Sequence, residues 1–87
     1  MIDYKITLPS GIIVQAVVWK LNEPVPPTTH GYKYRLVAVK EGERIIGFDN
    51  ERGKGDHRHQ GNIETAYTFT TVEQLMADFI NAVKELK

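Results

Sequence analysis

Apolar and polar residues alternate one for one through separate stretches of the first half of this chain. Ile2, Tyr4, Ile6 and Leu8 are interleaved with Asp3, Lys5 and Thr7. Tyr32, Tyr34, Leu36 and Ala38 are interleaved with Lys33, Arg35, Val37 and Val39. Successive strand side chains point to opposite faces, so a period of two describes strands with one face buried. Between these two lies a longer strand, Ile12 to Leu21. Ile12, Val14, Ala16 and Val18 form one face; Ile13, Val17, Trp19 and Leu21 form the other, interrupted by Gln15. With apolar residues on both faces, it belongs in the interior of a sheet or is covered on both sides. Pro9-Ser10-Gly11 suits a hairpin loop, and Lys40-Glu41-Gly42-Glu43 turns the chain into a fourth strand, Arg44 to Asp49. Asn22 to Gly31 holds Pro24, Pro26 and Pro27, which remove backbone donors and predict an extended connection. A fifth strand is expected over Ile63 to Phe69.

The chain ends differently. Val72, Leu75, Met76, Phe79, Ile80, Val83 and Leu86 recur at helical spacing. Thr70 and Glu73 match a capping box, in which hydroxyl and carboxylate satisfy free amides at a helix start. Successive hairpins followed by one amphipathic helix predict an α+β fold: an antiparallel sheet of about five strands, covered on one face by a C-terminal helix. The length, 87 residues, suits a single domain over 1–87. The face away from the helix would carry Val17, Trp19, Val37 and Val39, an apolar patch that suits a partner.

Composition removes several function classes. The absence of cysteine excludes a disulfide framework, a thiol nucleophile and a thiolate metal site. Eleven Lys and Arg against eleven Asp and Glu exclude a generally basic nucleic-acid coat, so any contact with RNA needs a local patch. Zero net charge also opposes self-association only weakly, so a homodimer is compatible with it. No apolar run approaches the ~18 residues of a membrane span, and Met1 to Lys5 has no signal-peptide character; a cytoplasmic protein is expected.

The stretch Gly47 to Gly61 stands apart. It holds four of the seven glycines and two of the three histidines, with Arg52, Lys54 and Arg58 balanced by Asp49, Glu51 and Asp56. It reads as a polar loop between two strands, and such loops carry function when a rigid scaffold holds them. Gly53-Lys54-Gly55 allows positive φ and close approach to a ligand, but it lacks the spacing of a phosphate-binding Walker loop. In Asp56-His57-Arg58-His59 the two imidazoles share one side and Arg58 takes the other. They suit acid–base work, a metal ion with Asp56 or His30 as third ligand, or simple bracing of the loop. RNA cleavage without a cofactor needs a base, an acid and a cation at the phosphorus; His57, His59 and either Arg58 or Lys54 supply that set. Asp49, Asn50, Arg52 and Asp56 are then binding residues, and no metal or cofactor is required. Asp49, Glu51 and Asp56 offer oxygen ligands, but Lys54 lies too far from Glu51 for a restriction-type nuclease motif.

The string Gly47-Phe48-Asp49-Asn50-Glu51-Arg52-Gly53-Lys54-Gly55-Asp56-His57-Arg58-His59, with Pro24-Val25-Pro26 and Tyr32-Lys33-Tyr34-Arg35-Leu36, resembles the TumE-type proteins. These are small bacterial and archaeal proteins described as the toxin half of toxin–antitoxin pairs. The resemblance runs through Tyr67-Thr68-Phe69 to the terminal helix, with Gly-Phe where Gly-Tyr is expected. It implies a growth inhibitor restrained by a co-encoded antitoxin, a helix-turn-helix DNA binder. The family motif falls on Asp49, Asn50, Lys54, Asp56, His57, Arg58 and His59. The resemblance supplies no mechanism, so two expectations stand: an endoribonuclease acting through Asp49–His59, with RNA as partner, or a non-catalytic protein that binds a partner through this loop and the open sheet face.

Overall fold

The computed structural model describes residues 1–86. They form six strands, β1 (Ile2–Thr7), β2 (Ile13–Lys20), β3 (Tyr32–Lys40), β4 (Glu43–Glu51), β5 (Gly55–Gln60) and β6 (Ile63–Ala66), followed by one helix, α1 (Val72–Lys84). The strands are neighbours in chain order and every pair is antiparallel. Each connection is therefore a simple hairpin, and the sheet needs no crossover. The α+β architecture is as expected, with six strands where about five were predicted.

The extra strand comes from the polar segment. Gly47 to Glu51 completes β4, and Gly55–Gln60, expected as loop, is all of β5. Both of its faces carry polar side chains, so no hydrophobic alternation marks it as a strand. Its exit does carry a signal: Gly61 and Asn62 make the two-residue turn that pairs Gln60 with Ile63, with Gly61 at φ 60°.

The core lies between the sheet and α1. Ile12, Val14, Ala16 and Val18, then Tyr34, Leu36 and Ala38, then Ile46 and Phe48 meet Val72, Leu75, Phe79 and Ala82 of the helix. These are the faces that the alternation assigns. Leu75 and Phe79 are fully buried, and each such side chain contributes about 1.5–3 kcal/mol relative to exposure. The helix starts one residue later than the capping box implies. Thr71 is the N-cap, and its hydroxyl accepts from the Gln74 amide at 3.0 Å. Val72 is then the first helical residue, on the stripe of Leu75 and Phe79. An apolar groove of about 390 Å³ remains between β1, β2 and the second half of α1, lined by Tyr4, Ile6, Ile12, Phe79, Ile80 and Val83.

The other face of the sheet has no helix over it. A β-bulge shapes its middle. Ala38 pairs with Ile46 but Val39 pairs with Arg44, so Ile45 is the extra residue. The shift turns Arg44 from the core side to the open side, as bulges re-aim side chains. Its stem then lies on Gly47, where an added Cβ would come within 3.1 Å of Arg44 Cδ. The apolar patch expected here is broken up: Arg35 stands between Val17 and Asp49, and Gln15 beside Val37.

Candidate functional site

The β4–β5 hairpin is closed by a short turn, Arg52-Gly53-Lys54, between the paired residues Glu51 and Gly55. Gly53 and Gly55 both have positive φ, 86° and 78°, which side-chain-bearing residues resist. The proline-rich connection braces this turn: the Gly53 amide donates to the Pro26 carbonyl at 2.9 Å. Pro27 sits so close to Gly55 that a Cβ there would be 3.2 Å from Pro27 Cγ.

Strand alternation divides the polar residues of the hairpin between two faces. On the helix side are Asn50, Asp56 and Arg58. The Asn50 side chain, fully buried, accepts from the Tyr34 amide at 3.1 Å and donates to the Tyr32 carbonyl at 2.8 Å. It continues the β3–β4 ladder beyond its last paired residues, Arg35 and Asp49. Asp56 accepts from the Tyr34 hydroxyl at 2.6 Å and lies 2.8 Å from His30 Nε2. His30 Nδ1 accepts from the Tyr32 amide, and the ring stacks on Phe69 at 3.9 Å. Arg58 covers the Phe48 ring at 5.2 Å and bonds Gln60 at 3.3 Å. Every group in this cluster has a protein partner. Burial and the bond to Asp56 push the Tyr34 phenol well above its ordinary value.

On the open side are Asp49, His57 and His59. Asp49 and His57 face each other across the β4–β5 pair, and His59 faces Gly47. His57 Nε2 is 2.5 Å from Asp49 Oδ1, and His59 Nε2 is 3.7 Å from the same oxygen. The two rings are edge to face at 4.8 Å. His57 is only 4% exposed. Its Nδ1 is 3.0 Å from the Gly55 carbonyl. A carbonyl only accepts, so Nδ1 carries the hydrogen and donates. Despite the short approach, Asp49 Oδ1 and His57 Nε2 make no well-aligned hydrogen bond, and both atoms are buried.

Carboxylates border this cluster. Glu64 of β6 faces His59, with Oε2 3.8 Å from His59 Nδ1 and Oε1 4.0 Å from His57 Nε2. Glu51 Oε1 is 3.9 Å from His57 Nε2. Lys54 reaches back from the turn to Glu64 at 3.2 Å. That hydrogen bond holds the Glu64 carboxyl below the usual carboxylate range and the Lys54 ammonium above its ordinary value.

Of the residues singled out in the sequence, the fold thus brings Asp49, His57 and His59 together and sets Lys54 at their rim. Arg52 lies exposed at the turn. Asn50, Asp56 and Arg58 lie through the sheet on the helix side. The third residue beside the histidine pair is Asp49, not Asp56 or His30. Glu64 is a neighbour that the sequence reading did not select; the Gly61-Asn62 turn was the signal that sets it opposite His59. Direct acid–base work by both rings requires both to reach substrate, and His57 is enclosed.

A family model described as Toxin TumE matches residues 1–87, the whole chain. Neither the curated proteins nor the solved structures include a significant match.

Proposed function

Since the chain belongs to the TumE toxin family, we propose that it arrests growth by cleaving RNA at the Asp49–His57–His59 centre. The observation that carries this reading is the convergence of these three side chains on the sheet face that the helix leaves uncovered. They share that face with Lys33, Arg35 and Arg44, to which the phosphates of a single strand can bind. Trp19, 39% exposed, is paired with Lys33 and offers a base a stacking surface. Lys54, held on Glu64 at the rim of the centre, suits a substrate phosphate. Arg58 packs on Phe48 and supports the site from below.

Membership of a toxin family implies an antitoxin partner. We take that partner to be a helix-turn-helix protein, acting on the toxin in the cytoplasm. Among the described residues, no helix is long and apolar enough to cross a membrane.

The test is induction of the wild type beside Asp49→Asn, His57→Ala and His59→Ala at equal protein level, with growth and total RNA followed together. Arrest with fragmented RNA is expected for the wild type, and loss of both for each variant. Arrest with intact RNA would sink the cleavage reading and favour the other one, a non-catalytic protein that blocks its target through this hairpin and the open face.

A further inference from the structure

We propose that Asp49, His57 and His59 bind a divalent transition-metal ion of the zinc class. The starting point is an unmet need. Nδ1 of His57 donates to the Gly55 carbonyl, so Nε2 carries a lone pair, which lies 2.5 Å from Asp49 Oδ1 but is not aimed at it. Two buried electron-rich atoms at this separation, without an aligned hydrogen bond between them, call for a cation. The His30–Asp56 pair on the other side of the sheet makes the contrast. It has the same residue types at 2.8 Å, but each member is hydrogen-bonded by the protein.

The distances suit a metal. One donor atom from each of Asp49, His57 and His59 lies within 4.8 Å of the others. Tetrahedral zinc, with bonds of about 2.0–2.2 Å, spaces its ligands at roughly 3.3 Å. Small rotations of three side chains on a fixed hairpin bring the observed 2.5 and 3.7 Å to that value.

The outer contacts point the same way. A histidine that binds metal through one nitrogen usually donates through the other to a carbonyl or carboxylate, which fixes its ring. His57 Nδ1 donates in this way to the Gly55 carbonyl at 3.0 Å, while the carboxylate beside His59 Nδ1, Glu64 Oε2, stands 3.8 Å away, beyond hydrogen-bond distance. Both Nε2 atoms are left for the ion. Two imidazoles and one carboxylate favour zinc, cobalt, iron or nickel over magnesium and calcium, which take oxygen ligands. Three protein ligands leave a coordination position open, as in catalytic sites. Glu51 and Glu64 stand beside it. The site rests on this geometry alone; only its use in cleavage rests on the reading of the chain as an RNA-cutting toxin.

The experiment uses the full chain, stripped with EDTA and titrated with Co²⁺, Zn²⁺ and Mg²⁺ without RNA. One Co²⁺ per chain is expected, seen by d–d absorption and displaced by Zn²⁺. Zn²⁺ at 100 times its dissociation constant should raise Tm by roughly 10 °C or more, while Mg²⁺ leaves it unchanged. Asp49→Asn, nearly isosteric and checked for folding by circular dichroism, should weaken binding at least tenfold, as should His59→Gln. Glu64→Gln should weaken it by about tenfold, the low end for an outer carboxylate. A folded wild type with no cobalt absorption and no Tm shift overturns the site, as do equal shifts in Asp49→Asn and His59→Gln. RNA cleavage that persists without any metal binding also overturns it and leaves the toxin reading standing. Metal binding with RNA left intact upholds the site and overturns the cleavage reading.

Discussion

Asp49 and Asp56, both in one hairpin and both beside a histidine, end on opposite faces with opposite surroundings. Asp56 is hydrogen-bonded by Tyr34 and His30, while Asp49 meets two imidazoles without an aligned partner. The pH dependence of stability separates these roles, because Tyr34 reports on the Asp56 side. Its phenol is fully buried and donates to Asp56, and both effects raise its value in the folded state. The stability this contributes is complete below the ordinary phenol value of about 10 and is lost as pH rises above it, since only the unfolded chain ionises there. The loss is about 1.4 kcal/mol per pH unit. Urea unfolding between pH 10 and 11 should show the wild type losing about 1 kcal/mol more stability than Tyr34→Phe, because the slope reaches its full value only above pH 11. Tyr67, raised in the same direction by burial and by its bond to Asp78, acts alike in both proteins and cancels in the comparison. Equal slopes would mean that the Tyr34 hydroxyl reaches solvent. The residue types of the site were legible in the sequence; their partners were not. Which aspartate stands beside His57 depends on β4–β5 register, and neither His57 nor its flanking residues specify it.

Elements were legible wherever one face is apolar. β2 and β3 follow the alternation of Val14, Ala16 and Val18 and of Tyr34, Leu36 and Ala38. β5 was hidden because Asp56, His57, Arg58 and His59 give no apolar face, and the backbone pairing with β4 supplies what the side chains do not. The helix start departs from its local signal by one residue. Thr70 with Glu73 reads as a cap in the sequence, but in the fold Thr71 takes that place and its hydroxyl accepts from the Gln74 amide. Thr71→Ala should therefore cost about 1 kcal/mol, measured by urea unfolding, while Thr70→Ala should fall within ±0.5 kcal/mol. The reverse order would move the helix start back to the position implied by Thr70 and Glu73. Because α1 and its core lie across the sheet from Asp49, this loss should appear in stability and leave metal affinity unchanged.

At the scale of the whole molecule, zero net charge conceals a division of labour between two faces. The helix side is spent on the core, and the open side gathers Lys33, Arg35 and Arg44 around an acidic and imidazole centre. The bulge at Ile45 is what brings Arg44 to this side, and Gly47 is what lets its stem lie flat there. So small a cluster can neutralise few phosphates, and that sets the salt dependence of any RNA complex. Each phosphate contact on a single strand contributes about −0.7 to the slope of log affinity against log salt. Lys33, Arg35, Arg44 and Lys54 together predict a slope of about −3 for a short single-stranded RNA, measured by fluorescence anisotropy with the Asp49→Asn protein to prevent turnover. Arg35→Gln should flatten the slope by about 0.7 and lower affinity at low salt, without regard to base sequence, because phosphate contacts carry no sequence information. A slope near zero would remove the open face from RNA binding. A slope steeper than about −5 would require more cations than this face presents and would move the contact elsewhere on the molecule.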